Sequence, residues 1–271
     1  MKVKQLQRDI QWILDCPDLL EGEAQHLRLQ NISISAEDRF EPFTHKVGRY
    51  FEHLVSVMLR NSADHELHDQ SVQIIRDGRT LGELDFVYSD RTSVITHCEV
   101  AIKYYLYYPD NNSTGSHFIG PNPEDTFENK VSRLISHQLP LSNTYYTKAK
   151  RRETFVKGCI FYPYGSELPT ATPLYLSRDH LRGTWLYARD VANLANYTNA
   201  AYCICRKPNW LAPPMDEDTF LSPRAIVEWA EKHFEQTPHP LMLSRLHERQ
   251  GKWVEKDRLF VVPDRWPHKH L

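Results

Sequence analysis

Two short stretches place ionisable side chains where apolar residues set the pattern. In GELDFVY, residues 82–88, side chains at i and i+2 share a strand face, so Glu83 and Asp85 point one way and Leu84 and Phe86 the other. The same rule puts Glu99, Ala101 and Lys103 of HCEVAIKYYL on one face and Cys98, Val100 and Ile102 on the opposite one. Neighbouring strands would let Asp85, Glu99 and Lys103 border one cleft. Glu52, within GRYFEHLV, sits among apolar residues at helical spacing and is directed to the same side. A carboxylate in apolar sequence is costly unless it is paired, metal-bound or solvent-facing. An ordinary ion pair on an open sheet face is the bland reading; the four residues together resemble a metal site.

The elements that must position these residues follow from periodicity. Residues 4–20 read as an amphipathic helix with Leu6, Ile10, Ile13 and Leu14 close to one face, and Pro17 near its end. A polar stretch runs to about residue 41. FTHKVGRYFEHLVSVMLRN then gives a helix with Val47, Phe51, Leu54, Val55 and Met58 on a common side. The period changes next: a short β-branched strand at Val72–Ile75, turn chemistry in DGRTLG, the alternating strand GELDFVY, and a third strand in SVITHCEVAIKYYL. Residues 111–123 read as loop. PEDTFENKVSRLISHQL returns to helical spacing with Phe127, Val131, Leu134 and Ile135, its acidic start suiting a helix N-terminus, and KGCIFYPY reads as a fourth strand.

Helix, three strands, helix, strand is an α/β core with helices covering a small mixed sheet. Composition divides the chain into a helical segment at 1–42, the α/β core at 43–169 and a carboxy-terminal α+β subdomain at 170–271, with a helix at SPRAIVEWAEKHF and strands at PLMLSRL and RLFVVP.

The chain has 271 residues, 41% hydrophobic and 25% charged, which is ordinary globular composition and excludes disordered and fibrous classes. Its net charge of −2 advertises no partner, so any phosphate-binding surface is local. The start of the chain lacks the apolar run of a signal peptide, and no stretch approaches the roughly 18 apolar residues of a membrane span. A cytoplasmic protein without a membrane partner is the expectation. Five scattered cysteines give no disulfide framework, and the lone C-x-C at Cys203 and Cys205 is a poor zinc signature.

The element order together with Glu52, Asp85, Glu99 and Lys103 resembles the PD-(D/E)XK phosphodiesterase superfamily across residues 43–165. More narrowly, ILDCPDLL, VGRYFEHLV, RTLGELDFVY, HCEVAIKYYL, FIGPNPEDTFENK and HQLPLS are similar to a bacterial family, domain of unknown function 1853, over nearly the whole chain. The superfamily resemblance implies a nuclease-like core and a nuclease acting on DNA or RNA. It implies Mg²⁺ or Mn²⁺ held by Asp85 and Glu99, oxygen donors that suit a hard cation. It also implies that Lys103 orients water or stabilises transition-state charge, and that Glu52 contributes as a ligand or through water. One departure matters: the superfamily separates its Glu and Lys by one residue, whereas E-V-A-I-K puts Cα atoms of Glu99 and Lys103 roughly 13 Å apart at about 3.3 Å per residue. Long side chains or a bulge can close the gap. Otherwise the site is degenerate, leaving a protein that binds nucleic acid or a protein partner without hydrolysis.

Secondary candidates lie on the later helix, where Lys130, His137 and Gln138 could face a phosphate or the metal. A solvated helix face is the alternative. Gln73 and Arg79 near the first hairpin rank below them. The aromatic run Tyr104, Tyr105, Tyr107 and Tyr108 is as well explained by strand propensity as by base stacking, and the cluster Lys148, Lys150, Arg151 and Arg152 by a solvated loop.

Overall fold

The computed structural model describes residues 3–22, 25–30, 32, 46–110, 117–169, 172–215 and 218–268. In chain order the elements are α1 (Val3–Asp15), β1 (Gln25–His26), α2 (Val47–Arg60), β2 (His65–Arg76), β3 (Arg79–Asp90), β4 (Ile95–Tyr107), β5 (Phe118–Ile119) and α3 (Phe127–Arg133). A π-helical turn (Leu134–Gln138) leads into α4 (Leu139–Tyr145), and β6 (Arg151–Pro163), β7 (Leu181–Tyr187) and a 3₁₀ helix (Ala188–Asn196) follow. The chain ends with β8 (Ala200–Cys205), α5 (Pro223–Gln236), β9 (Leu241–Arg249) and β10 (Lys252–Val262). The polar stretch before residue 42, the first residues of FTHKVGRY and much of the 111–123 loop lie outside the described residues.

This is a mixed α/β architecture in two compact units. The first comprises Met1–Lys103, Glu128–Gly158 and Pro173–His180; the second comprises Tyr104–Phe127, Cys159–Thr172 and Leu181–Leu271. The units interleave, and the chain passes from one to the other within β4 and within β6. Their boundaries therefore differ from the consecutive segments 1–42, 43–169 and 170–271. Composition registers neighbours in sequence, whereas compactness depends on long-range strand pairing.

In the first unit the strands run β2-β3-β4-β6, with both hairpin partnerships antiparallel and β1 parallel to β6. Asp77 and Gly78, at φ 51° and 72°, close the β2–β3 hairpin as a two-residue turn whose backbone twist suits antiparallel strands. Helix α2 buries Val47, Phe51, Leu54, Val55 and Met58, and the Phe51 ring stacks on Phe155 of β6 at 5.9 Å. Helix α1 buries Leu6, Ile10 and Ile13, while Leu14 is 36% exposed and lies off the expected stripe. Tyr50 of α2 donates to the buried carboxylate of Asp9 on α1 at 2.5 Å, tying the two helices together.

The second unit holds a mixed sheet with β7 parallel to both β6 and β10, and β10-β9-β8 antiparallel. Helix α5 is capped by the Ser222 hydroxyl, has Pro223 in its first turn, and packs Ile226 and Ala230 against Leu243, Leu259 and Val261. Tyr104 and Tyr105 are core residues: the first donates to the Trp210 carbonyl, the second to Asp125.

Candidate functional site

The β3–β4 pairing ends at Phe86↔Cys98. One residue further the Asp85 side chain intervenes: its Oδ2 accepts from the Val100 amide at 2.9 Å, so a carboxylate takes up a strand donor. Glu99, beside it on β4, is only 1% exposed. Both Glu99 oxygens have partners: Oε1 lies 2.9 Å from His97 Nε2, and Oε2 accepts from Gln138. Gln138 Oε1 in turn accepts from Lys130 Nζ at 3.0 Å. His97, itself fully buried, reaches Ser142 Oγ at 3.0 Å through Nδ1. The result is a hydrogen-bonded run from Lys130 through Gln138, Glu99 and His97 to Ser142.

Electrostatics place the remaining residues. Burial, reinforced by the Glu99 and Glu52 charges, pushes Asp85 up to about 8 against the relief given by the Val100 amide and Lys130. Burial also raises Glu52, which feels Glu83 and Glu99 as repulsive charges and Arg49 and Lys130 as attractive ones. Lys130 is lowered by burial and by Lys103, with Glu99 and Asp85 opposing. Glu52, Asp85, Glu99, Lys103 and Lys130 thus act on one another within the first unit, and Gln138 joins them by hydrogen bonds. The cation acting on both Asp85 and Glu52 is Lys130, from the helix, while the charge of Lys103 registers at Lys130.

The helical part of the site depends on a π turn. Lys130 and Gln138 are eight residues apart, which in a regular α-helix leaves them about 80° apart around the axis. A wider turn absorbs one residue and reduces the offset to about 20°, so both side chains look the same way. Pro140 explains the turn: it has no amide to offer the carbonyl four residues back, and the Leu139 amide bonds instead to Leu134, five residues back. Over Gly82 of β3, a Cβ would lie 2.5 Å from the Leu141 side chain, so glycine there lets α4 approach the sheet.

Other candidates stand apart. Gln73 donates to Glu83 at 2.7 Å in an exposed cross-strand pair, and His137 Nε2 lies 3.1 Å from the Leu81 carbonyl. Arg79 is exposed at the start of β3. In the basic cluster, Arg151 pairs with Asp90 and Lys150 donates to the Thr147 carbonyl. His97 and Ser142 were not anticipated. His97 was legible in principle, since it lies two residues before Glu99 on the same strand face.

Among the described residues no group of three or more His, Cys, Asp or Glu side chains is arranged to hold a metal, so Glu52 does not complete a three-carboxylate set with Asp85 and Glu99. The helix leaves Glu52 within electrostatic range of the two acids without adding it as a third ligand. A two-carboxylate set is nevertheless what Mg²⁺ commonly uses, the other positions being water and substrate phosphate. Two adjacent carboxylates, one raised by burial and further by the other, fit such a cation in charge and in donor type.

Among curated proteins and solved structures, no match was found. Residues 8–262 match the family described as domain of unknown function (DUF1853), and the chain belongs to that family.

Proposed function

We propose that the Asp85–Glu99 pair is the metal-binding centre of a PD-(D/E)XK-like phosphodiesterase acting on DNA or RNA. The observation that carries the reading is the pairing itself: two carboxylates meet at the end of the β3–β4 ladder, one buried and the other pushed up to about 8 by burial and by its neighbour. Such a pair is unfavourable unless protons or a cation neutralise it. A bound Mg²⁺ or Mn²⁺ would polarise a phosphoryl oxygen and acidify water. His97 and Gln138 hold Glu99 in orientation through both of its oxygens, as partners behind a ligand generally do.

The amine comes from the helix in this reading. Burial and Lys103 lower Lys130, which donates to Gln138 Oε1 and, when charged, would donate to a non-bridging phosphate oxygen. Lys103 adds positive charge on the same patch and draws the phosphate in. In this division the helix supplies a lysine as well as β4, which relieves the demand that the long Glu99-to-Lys103 interval places on the site.

A second reading has its own observation. Both Glu99 oxygens are already hydrogen-bonded and, among the described residues, no third ligand is gathered, which suits a protein that binds nucleic acid or a protein partner without cleaving. The discriminating assay incubates the protein with labelled single- and double-stranded DNA and RNA and Mn²⁺ or Mg²⁺. Metal-dependent cleavage lost in Asp85→Ala, and reduced about 10²–10³-fold in Lys130→Ala, supports the phosphodiesterase. Cleavage that survives Asp85→Ala, or binding without cleavage in the wild type, overturns it.

A further inference from the structure

A pocket of about 250 Å³ within the first unit is lined in part by the π turn that carries Gln138. Its walls are apolar: Leu20 follows α1, Leu134 and Ile135 belong to the π turn, Leu139 opens α4, and Tyr175 closes the rim. Ile135 is 37% exposed at this wall, so its side chain is accessible from the pocket. Backbone geometry supports the rim. Tyr175 is a non-glycine residue at φ 70°, and a Cβ on Gly22 (φ 130°) would lie 2.8 Å from the Tyr175 ring. Left-handed residues of this kind cluster at ligand clamps. The amide of Glu21 bonds the Tyr175 carbonyl at 2.9 Å and fixes the two rim strands to each other.

The polar groups at the pocket are Glu21, His26, Asn143, Arg152 and Thr154. Glu21 accepts from the Arg178 amide at 3.0 Å and so already has a partner. Burial lowers His26, with the nearby Asp18 carboxylate opposing. Arg152 is the cation, and among the described residues no carboxylate lies within ion-pairing distance of it. Its hydrogen bonds go to the Ser142 hydroxyl at 3.2 Å through Nε and to the Ala149 carbonyl at 3.3 Å through Nη2. A half-buried guanidinium at the edge of an apolar cavity, held in place by neutral acceptors, is suited to an anionic head group on an apolar body.

We propose that this pocket binds a small amphipathic anion, its apolar chain against Leu134, Ile135 and Leu139 and its carboxylate or phosphate head on Arg152. At about 30 Å³ per water-sized group, the volume accommodates roughly eight non-hydrogen atoms, enough for an eight-carbon chain with its head group outside the cavity at Arg152. Arg152 shares Ser142 with His97, and Leu134 and Ile135 share a turn with Gln138, so pocket and carboxylate pair are built on one hydrogen-bonded frame. The binding site itself stands whether or not that pair hydrolyses anything.

The test is calorimetric titration of the whole chain with octanoate, octyl phosphate and octanol, using wild type, Arg152→Gln and Ile135→Trp, with folding of each variant checked by circular dichroism. The expected result is saturable one-to-one binding of at least one of the two anions. Octanol should bind at least tenfold more weakly, Arg152→Gln should lose at least tenfold in anion affinity, and Ile135→Trp should abolish binding by filling the cavity. Absence of saturable anion binding to the wild type, equal affinity for octanol, or unchanged affinity in both variants overturns the proposal.

Discussion

Asp85 is the residue on which the site turns, and its protonation makes a checkable demand on stability. Its folded value of about 8 lies well above the ordinary 3.8. Between those limits the folded chain binds more protons than the unfolded one, so this group's contribution to stability is present below about pH 4 and declines as pH rises towards 8. Asp85→Asn removes the dependence while keeping an acceptor for the Val100 amide. Without divalent metal, the variant should melt above wild type at pH 8.5 and close to it at pH 4.5; an equal gap at both pH values would refute the assignment. Gln138 makes a complementary demand, because it holds Glu99 and Lys130 at once. Gln138→Ala should weaken Mn²⁺ binding about 10–100-fold, the usual cost of removing a partner behind a ligand. A fluorescence-detected metal titration checks it, and unchanged affinity would remove Gln138 from the site.

The positioning of these residues is a property of strands and of one distorted helix. The β3 and β4 strands were legible because alternation of apolar and charged side chains is a period-two signal that survives without context, and the Asp-Gly turn announced the hairpin. Leu14 shows where such reasoning ends: it fits the helical stripe of α1, yet it stays 36% exposed. Strand β7 and the 3₁₀ helix at Ala188–Asn196 were not foreseen, since LRGTWLY and ARDVANLAN carry no clean period and gain their form from pairing with distant chain. The π turn was equally hidden, although Pro140 in HQLPLS was its visible cause. Where β6 passes Lys103, the backbone itself sets the fit. Gly158 adopts φ 153°, and a Cβ there would meet the Lys103 carbonyl oxygen at 1.8 Å. Gly158→Ala should therefore destabilise the protein by about 3 kcal/mol or more in denaturant unfolding, well beyond an ordinary surface change. A loss under about 1 kcal/mol would mean the two strands are not held this closely.

At the scale of the whole chain, the carboxy-terminal strands join the same sheet through the pairing of β7 with β6, and two strands, β4 and β6, belong in part to each compact unit. The candidate residues nevertheless all fall within the first unit, which concentrates the chemistry on elements drawn from 47–60, 79–103 and 127–142. Among the described residues no helix is long and apolar enough to cross a membrane. A cation that binds this unit only when folded also stabilises it, by about 2.7 kcal/mol at a hundredfold excess over its dissociation constant. The most direct measurement is therefore Mn²⁺ titrated calorimetrically into metal-free wild type and Asp85→Asn. Saturable binding in the wild type, at least tenfold weaker in the variant, is the predicted result. No binding to the wild type, or equal binding to both proteins, would contradict the claim that Asp85 and Glu99 form a cation site.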